Sequence, residues 1–208
     1  REAVTYSFVD PKLQQLFDPE VEPVALSNPI SADMAVMRTS LLPGLVAAVQ
    51  RNTNRQQPRV RMFETGLRFV PSASGLQQRP TLGIVVTGQR YGESWASAAE
   101  AADFFDLKGD LQSLLALTRA PDDFSFEAGR RPALHPGQTA RITRKGQDIG
   151  YMGALHPTVC ADLGFHAPLY ACEIELEAVL EGRLPAFSEL SKFPEVRRDL
   201  AVVVDKTV

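Results

Sequence analysis

Residues Asn28–Val70 run NPISADMAVMRTSLLPGLVAAVQRNTNRQQPRVRMFETGLRFV, a turn, a short extended piece, a helix, a basic elbow and a strand. Ser40 suits the N-cap of the helix, and Pro43 is tolerated in its first turn. Leu41, Leu42, Leu45, Val46 and Val49 recur at helical spacing and give one broad apolar face as far as about Asn54. Pro58 ends that pattern. Arg59–Glu64 and Leu67–Val70 then read as strand, with Gly66 marking a bulge or a close backbone approach.

Upstream, Ala3–Val9 has the β-branched and aromatic residues of a strand. Asp10-Pro11 opens a short helix carrying Leu13, Leu16 and Phe17, and Val21–Leu26 is a second candidate strand. Met34–Arg38 reads as extended. Downstream, Pro71–Pro80 is polar and turn-rich, and Thr81–Gln89 is a central, nearly apolar strand. Arg90–Ala102 reads as an irregular excursion, and Asp103 caps a helix over Phe104–Leu117. Phe124–Ala128, Thr139–Arg144 and Ile149–Leu155 alternate as antiparallel strands, the last two joined by a turn at Lys145–Asp148. A short helix at Pro157–Leu163, a strand at Leu169–Leu176 and a helix from Glu177 to Glu181 follow. A new pattern starts after Pro185, with Arg198–Asp205 as a fresh strand. Strands outnumber helices and the spacing between them is that of hairpins, so the expected class is α+β, an antiparallel sheet flanked by helices.

The chain has 208 residues, 44% of them hydrophobic and 23% charged, enough for a sizeable buried core. Its net charge of −3 argues against gripping nucleic acid by bulk charge. Cys160 and Cys172 have neither a CxxC nor a Cys/His cluster around them, so buried free thiols are expected. No signal peptide is visible and no apolar run approaches the ~20 residues that span a bilayer, which makes the cytoplasm the default and a membrane no partner. Both ends break off within a pattern, as in a piece of a longer polypeptide.

No GxxxxGK[ST], GxGxxG, HExxH or GxSxG occurs. His135, His156 and His166 have no nucleophile or metal-ligand spacing around them, and the first two stand in His-Pro dipeptides that suit turn caps. No catalytic, cofactor-binding or metal-binding residue is assigned. Arg51, Arg55, Arg59, Arg61 and Arg68 form the most basic segment. They serve either as a solvated or ion-paired surface or as contacts to phosphate or a partner subunit. Lys192, Arg197 and Arg198 cluster around Phe193-Pro194 and could touch an RNA backbone.

NPIS-x-DM-x-V-x-RTSLLPGL, then N-x-NRQ and R-x-FE-x-G-x-x-F, closely resembles the β subunit of bacterial phenylalanyl-tRNA synthetase. Asp103–Leu115, Ala133–Gln138, Gly153–Pro157 and Ser191–Asp205 match the same subunit in the same order. The resemblance implies that the chain comes from the C-terminal part of that subunit. Residues 1–185 would be a core domain with the class II synthetase fold but without its chemistry. Residues 186–208 would open a ferredoxin-like anticodon-binding domain.

Class II adenylation builds charge on phosphate oxygens, which positioned arginines and Mg²⁺ stabilise. Where the family's strand carries one such arginine this chain has Val70, with Arg68 two residues earlier on the same side. Where a glycine-rich stretch and the other arginine belong, it has Leu169–Glu177. Glu173, Glu175 and Glu177 would form the polar face of a strand whose Cys172, Ile174 and Leu176 face the core. The resemblance therefore implies an inactive module in an (αβ)₂ heterotetramer, with ATP and Mg²⁺ belonging to the complex. It would scaffold the catalytic α subunit and help place tRNA(Phe). Met34, Met37, Arg38, Leu41, Leu42, Leu45, Arg51 and Arg55 are the interface candidates unless they fill their own core. Rival readings are a self-sufficient adenylating domain using Arg59, Arg61 or Arg68, and a free-standing tRNA-binding module.

Overall fold

The computed structural model describes residues 1–96, 98–184, 187, 189, 192–193 and 196–203. In chain order its elements are β1 (Phe8–Val9), α1 (Pro11–Phe17), β2 (Val36–Met37), α2 (Leu42–Thr53), β3 (Arg59–Ser72), β4 (Gly75–Gly88) and α3 (Phe104–Ala116). They continue with β5 (Phe124–Ala128), β6 (Leu134–Arg144), β7 (Gln147–Leu155), α4 (Pro157–Asp162), β8 (Leu169–Glu175) and α5 (Glu177–Leu180). Strands β3 to β8 form one six-stranded sheet in the order β3-β4-β8-β7-β6-β5, antiparallel at every step, and β1 pairs with β2 separately.

Helices lie on both faces of the sheet, so each strand sorts its side chains into two cores. Leu41, Leu42, Leu45, Val46 and Val49 of the α2 segment pack with Val60, Val85, Tyr151, Leu169 and Ala171. On the other face Leu107, Leu111 and Leu115 of α3 pack with Leu82, Val86, Ile142, Met152, Cys172 and Ile174. The α+β class with helix-flanked antiparallel strands is as expected. Cys160 and Cys172 are free and buried, in opposite cores.

Local chemistry explains the element ends. Asp103 accepts from the Asp106 N–H at 2.9 Å while Asp106 accepts from the Asp103 N–H at 2.7 Å, a reciprocal cap that starts α3. Lys145 and Gly146 adopt φ of 51° and 81°, the left-handed pair that a two-residue hairpin requires.

Several expectations need correction. Pro71–Pro80 is no loop: β3 and β4 pair from Arg59↔Gly88 to Ser72↔Gly75, and the turn occupies only the tip. Gly66 carries no bulge, because pairing passes through Gly66↔Thr81 in register; there the Arg38 guanidinium occupies the space a Cβ would need. Val21–Leu26 makes only an isolated bridge, Ala25↔Val36. Ala3–Val9 is strand only at its end, and Ala32–Met34 is a 3₁₀ turn. The predicted boundary at 185/186 and part of Arg198–Asp205 lie outside the described residues; residues 196–203 have no strand and are exposed.

Candidate functional site

Beyond the N-terminus of α2 the sheet is uncovered, and a cavity of about 280 Å³ opens there. Arg68 comes from β3, Arg79 from β4, Tyr151 from β7 and Glu173 and Glu175 from β8, with Arg131 and Asp148 at its rim. Alternation along regular strands brings them together. Arg68, Arg79 and Glu175 all sit at positions whose side chains project to the α2 side.

Glu173 is the deepest of the group, 2% exposed. Its Oε1 accepts from the Leu41 N–H at 2.6 Å and its Oε2 accepts from the Tyr151 hydroxyl at 2.9 Å. One oxygen thus takes an amide at the start of α2, while the Ser40 hydroxyl accepts the next one, from Leu42, at 3.1 Å. Burial pushes the Glu173 carboxyl up from its ordinary range, against the pull of Arg68 and of the Leu41 and Tyr151 hydrogen bonds. Burial likewise pushes the Tyr151 phenol up, and the neighbouring Glu173 charge adds to it. The expected wet face of β8 is therefore corrected at Glu173: α2 covers it, and both faces of this strand are buried.

Glu175 lies further out, with 38% of its side chain exposed. Arg68 approaches its Oε1 at 3.3 Å and Arg79 approaches the same oxygen at 3.4 Å. Arg131 stacks on the Tyr151 ring at 4.4 Å. As expected for a regular strand, Arg68 lies on the same face as Val70, and its charge is met within the chain.

The remaining arginines part company. Arg61 projects to the α3 side, bonding Asp110 at 2.7 Å with Asp106 at 3.9 Å. Arg59 reaches the Arg90 carbonyl at 3.4 Å. Arg59 and Arg61 therefore do not gather with Arg68 at one site. Arg51 and Arg55 are exposed, and Met34 and Met37 are half-buried. Leu41, Leu42 and Leu45 are all at 1% exposure or less, and Arg38 is at 3%. Arg38 donates to Glu64 at 2.7 Å, to the Thr5 hydroxyl at 3.0 Å and to the Leu67 carbonyl at 2.8 Å. These four turn inward, to their own domain. Lys192, Arg197 and Arg198 are exposed.

His135 accepts the Gly137 N–H at 3.0 Å and His156 caps α4, so both serve turns. Arg79, Arg131 and Tyr151 escaped the sequence reading. Arg79 fell in the presumed loop, and neither Arg131 nor Tyr151 stands in a motif. Among the described residues no three His, Cys, Asp or Glu side chains gather to hold a metal, and no helix is long and apolar enough to cross a membrane.

The sequence model of the family described as "Phenylalanyl tRNA synthetase beta chain CLM domain" matches residues 1–176. Phenylalanine–tRNA ligase β subunits of Pseudomonas fluorescens, Pseudomonas putida and Mannheimia succiniciproducens are 58%, 57% and 51% identical over the whole chain. The chain spans 26% of the length of each. These matches do not bear out the expected placement in the C-terminal part of the subunit. Among solved structures, Desulfitobacterium hafniense PylSc, a pyrrolysyl-tRNA synthetase, is similar with a TM-score of 0.61 at 13% identity. That likeness covers 86% of this chain and 59% of the other. It concerns the fold alone.

Proposed function

Because this chain belongs to the phenylalanyl-tRNA synthetase β-chain CLM-domain family, we propose that it is a noncatalytic module of a phenylalanine–tRNA ligase. It scaffolds the catalytic α subunit in an (αβ)₂ assembly and helps place tRNA(Phe), in the cytoplasm. The assembly uses ATP and Mg²⁺, forming AMP as it charges the tRNA.

One observation carries the noncatalytic reading: the sheet face that would meet a nucleotide is filled with the chain's own carboxylates. Adenylate formation needs cationic groups aimed at the phosphates. Here Arg68 and Arg79 both face Glu175, while Glu173 and Asp148 line the same cavity. A triphosphate and its Mg²⁺ do not fit these residues, and no step is routed through them.

The subunit contact belongs to apolar surface that the chain does not use itself. Arg1 and Ala3 hydrogen-bond along the free edge of β3. Thr5 is bonded to Glu64, while Val4 and Tyr6 on either side of it are 90% and 65% exposed. Phe63 and Leu67 of β3 are 39% and 37% exposed, and Phe63 lines a hollow of about 340 Å³ together with Met62, Leu82, Ile84 and Leu114. An apolar strip of this kind marks a partner surface. Met34, Met37, Arg51 and Arg55 retain enough surface to contribute; Arg38, Leu41, Leu42 and Leu45 do not.

Co-expression with a phenylalanyl-tRNA synthetase α subunit tests the scaffold: the two should co-purify, and the chain alone should catalyse no ATP–pyrophosphate exchange. Exchange by the isolated chain would overturn the reading. Strong, salt-dependent tRNA binding without a partner would instead favour a free-standing RNA module.

A further inference from the structure

The cavity on the α2 side sets three arginines against three carboxylates, yet distributes their contacts unevenly. Arg68 and Arg79 converge on a single oxygen of Glu175, at 3.3 and 3.4 Å. Charge-assisted bonds are normally about 2.7–2.9 Å. The Arg68 Nε is buried and has no hydrogen-bond partner. Arg79 spends its Nε and a second Nη on the Gln77 amide oxygen, a neutral acceptor. Arg131 stacks on Tyr151 rather than on a carboxylate.

The acids offer little more. Glu173 is taken up by the Leu41 N–H and the Tyr151 hydroxyl, and Asp148 accepts from the Gly150 N–H at 3.0 Å. Glu175 alone bonds the two strand arginines, by one oxygen, from a side chain that is 38% exposed. A carboxylate has two oxygens in one plane, whereas two forks from adjacent strands and an orphaned Nε call for an acceptor with oxygens in several directions.

We infer that Arg68 and Arg79 form a site for a tetrahedral oxyanion of the phosphate class, held closed by the chain's own Glu175 carboxylate. Glu175 is the resident anion and the site's specificity determinant at once. The inference rests on the reading that this face performs no adenylation, and singles out one of the carboxylates that keep phosphate from it. Its failure would leave the scaffold role standing, because co-purification and pyrophosphate exchange test that role separately.

The experiment compares the full-length subunit in its assembly with Glu175→Ala, titrating inorganic phosphate by calorimetry at constant ionic strength. Other phosphate sites in the assembly are common to both and cancel. Glu175→Ala should bind at least about tenfold more tightly, since it removes a competing anion from two guanidinium groups. The gain should vanish when Arg68→Gln and Arg79→Gln are added, and should survive Arg55→Gln, which removes an exposed charge elsewhere. Selenate soaked into crystals of Glu175→Ala should give an anomalous peak between the two guanidinium groups. No gain in affinity, a gain that outlasts the loss of both arginines, or selenate seated elsewhere would each overturn the proposal.

Discussion

Arg38 and Glu64 bury opposite charges at 4% and 3% side-chain exposure, 2.7 Å apart. Thr5 and the Leu67 carbonyl complete their hydrogen bonds, and the Thr5 hydroxyl donates to the second Glu64 oxygen at 2.7 Å. Removing one member of such a pair strands the other without water. Arg38→Met should therefore cost about 3–5 kcal/mol of stability, measured by urea denaturation of the purified chain. Adding Glu64→Gln should recover part of that loss; simple addition of the two costs would mean that the charges do not interact. Glu173 makes a different prediction. Its carboxyl is raised, so the neutral form fits the fold better than the charged form does. The stability this contributes is complete below the ordinary carboxylate value of about 4.3 and is lost as pH rises through the raised one. Glu173→Gln should flatten the fall in melting temperature over that window; an unchanged slope would assign the pH dependence to another group. No pattern in the sequence marks Glu173 as buried. Alternation along β8 separates two faces but does not say that helices cover both.

At the scale of elements, α2 was legible and its role was not. The spacing of Leu41, Leu42, Leu45, Val46 and Val49 identifies a helix with a wide apolar face, and the structure has one over Leu42–Thr53. Whether that face meets its own sheet or another subunit depends on what lies opposite. Gly83 of β4 lies beneath it, so close that a Cβ there would stand 2.7 Å from the Leu45 Cδ1. The helix is thus seated on its own sheet. Leu45→Ala should cost about 2–5 kcal/mol by denaturation, and Leu45→Asp should abolish the near-UV circular dichroism of a folded chain. A folded Leu45→Asp chain that merely fails to join the α subunit would restore Leu45 to the interface. The β3–β4 hairpin shows the converse error. Gln77, Gln78 and Arg79 look like loop because they are polar, yet they are strand that runs past the covering helices. Polarity reported their exposure, and backbone pairing to β3 decided their conformation.

At the scale of the molecule, the apolar strip along the β3 edge and the basic cluster near residue 197 make separable predictions. Tyr6→Lys with Phe63→Lys should leave the chain folded, since both side chains are already 39% exposed or more, and should reduce α-subunit association at least about tenfold by sedimentation or native mass spectrometry. Unchanged assembly would remove the strip from the interface. In the full-length subunit, Arg197→Ala with Arg198→Ala should weaken tRNA binding roughly uniformly and shallow its salt dependence, while phenylalanyl-adenylate formation continues. Loss of adenylate formation would give those residues another role.

The sequence by itself determined the α+β class, the order of most elements, the two free thiols and the family. Each of these depends on local periodicity or on motifs in a fixed order. It also carries Glu173, Glu175 and Glu177 close together in the segment that ends β8. Only the tertiary structure decided which apolar face is core and which stays exposed. It alone placed Arg79, Tyr151 and Arg131 beside Arg68, and it alone separated the two glutamates of β8. Glu173 lies under a helix and Glu175 at a cavity mouth because α2 ends between them. That boundary is set by packing between segments more than a hundred residues apart, and no local pattern can contain it.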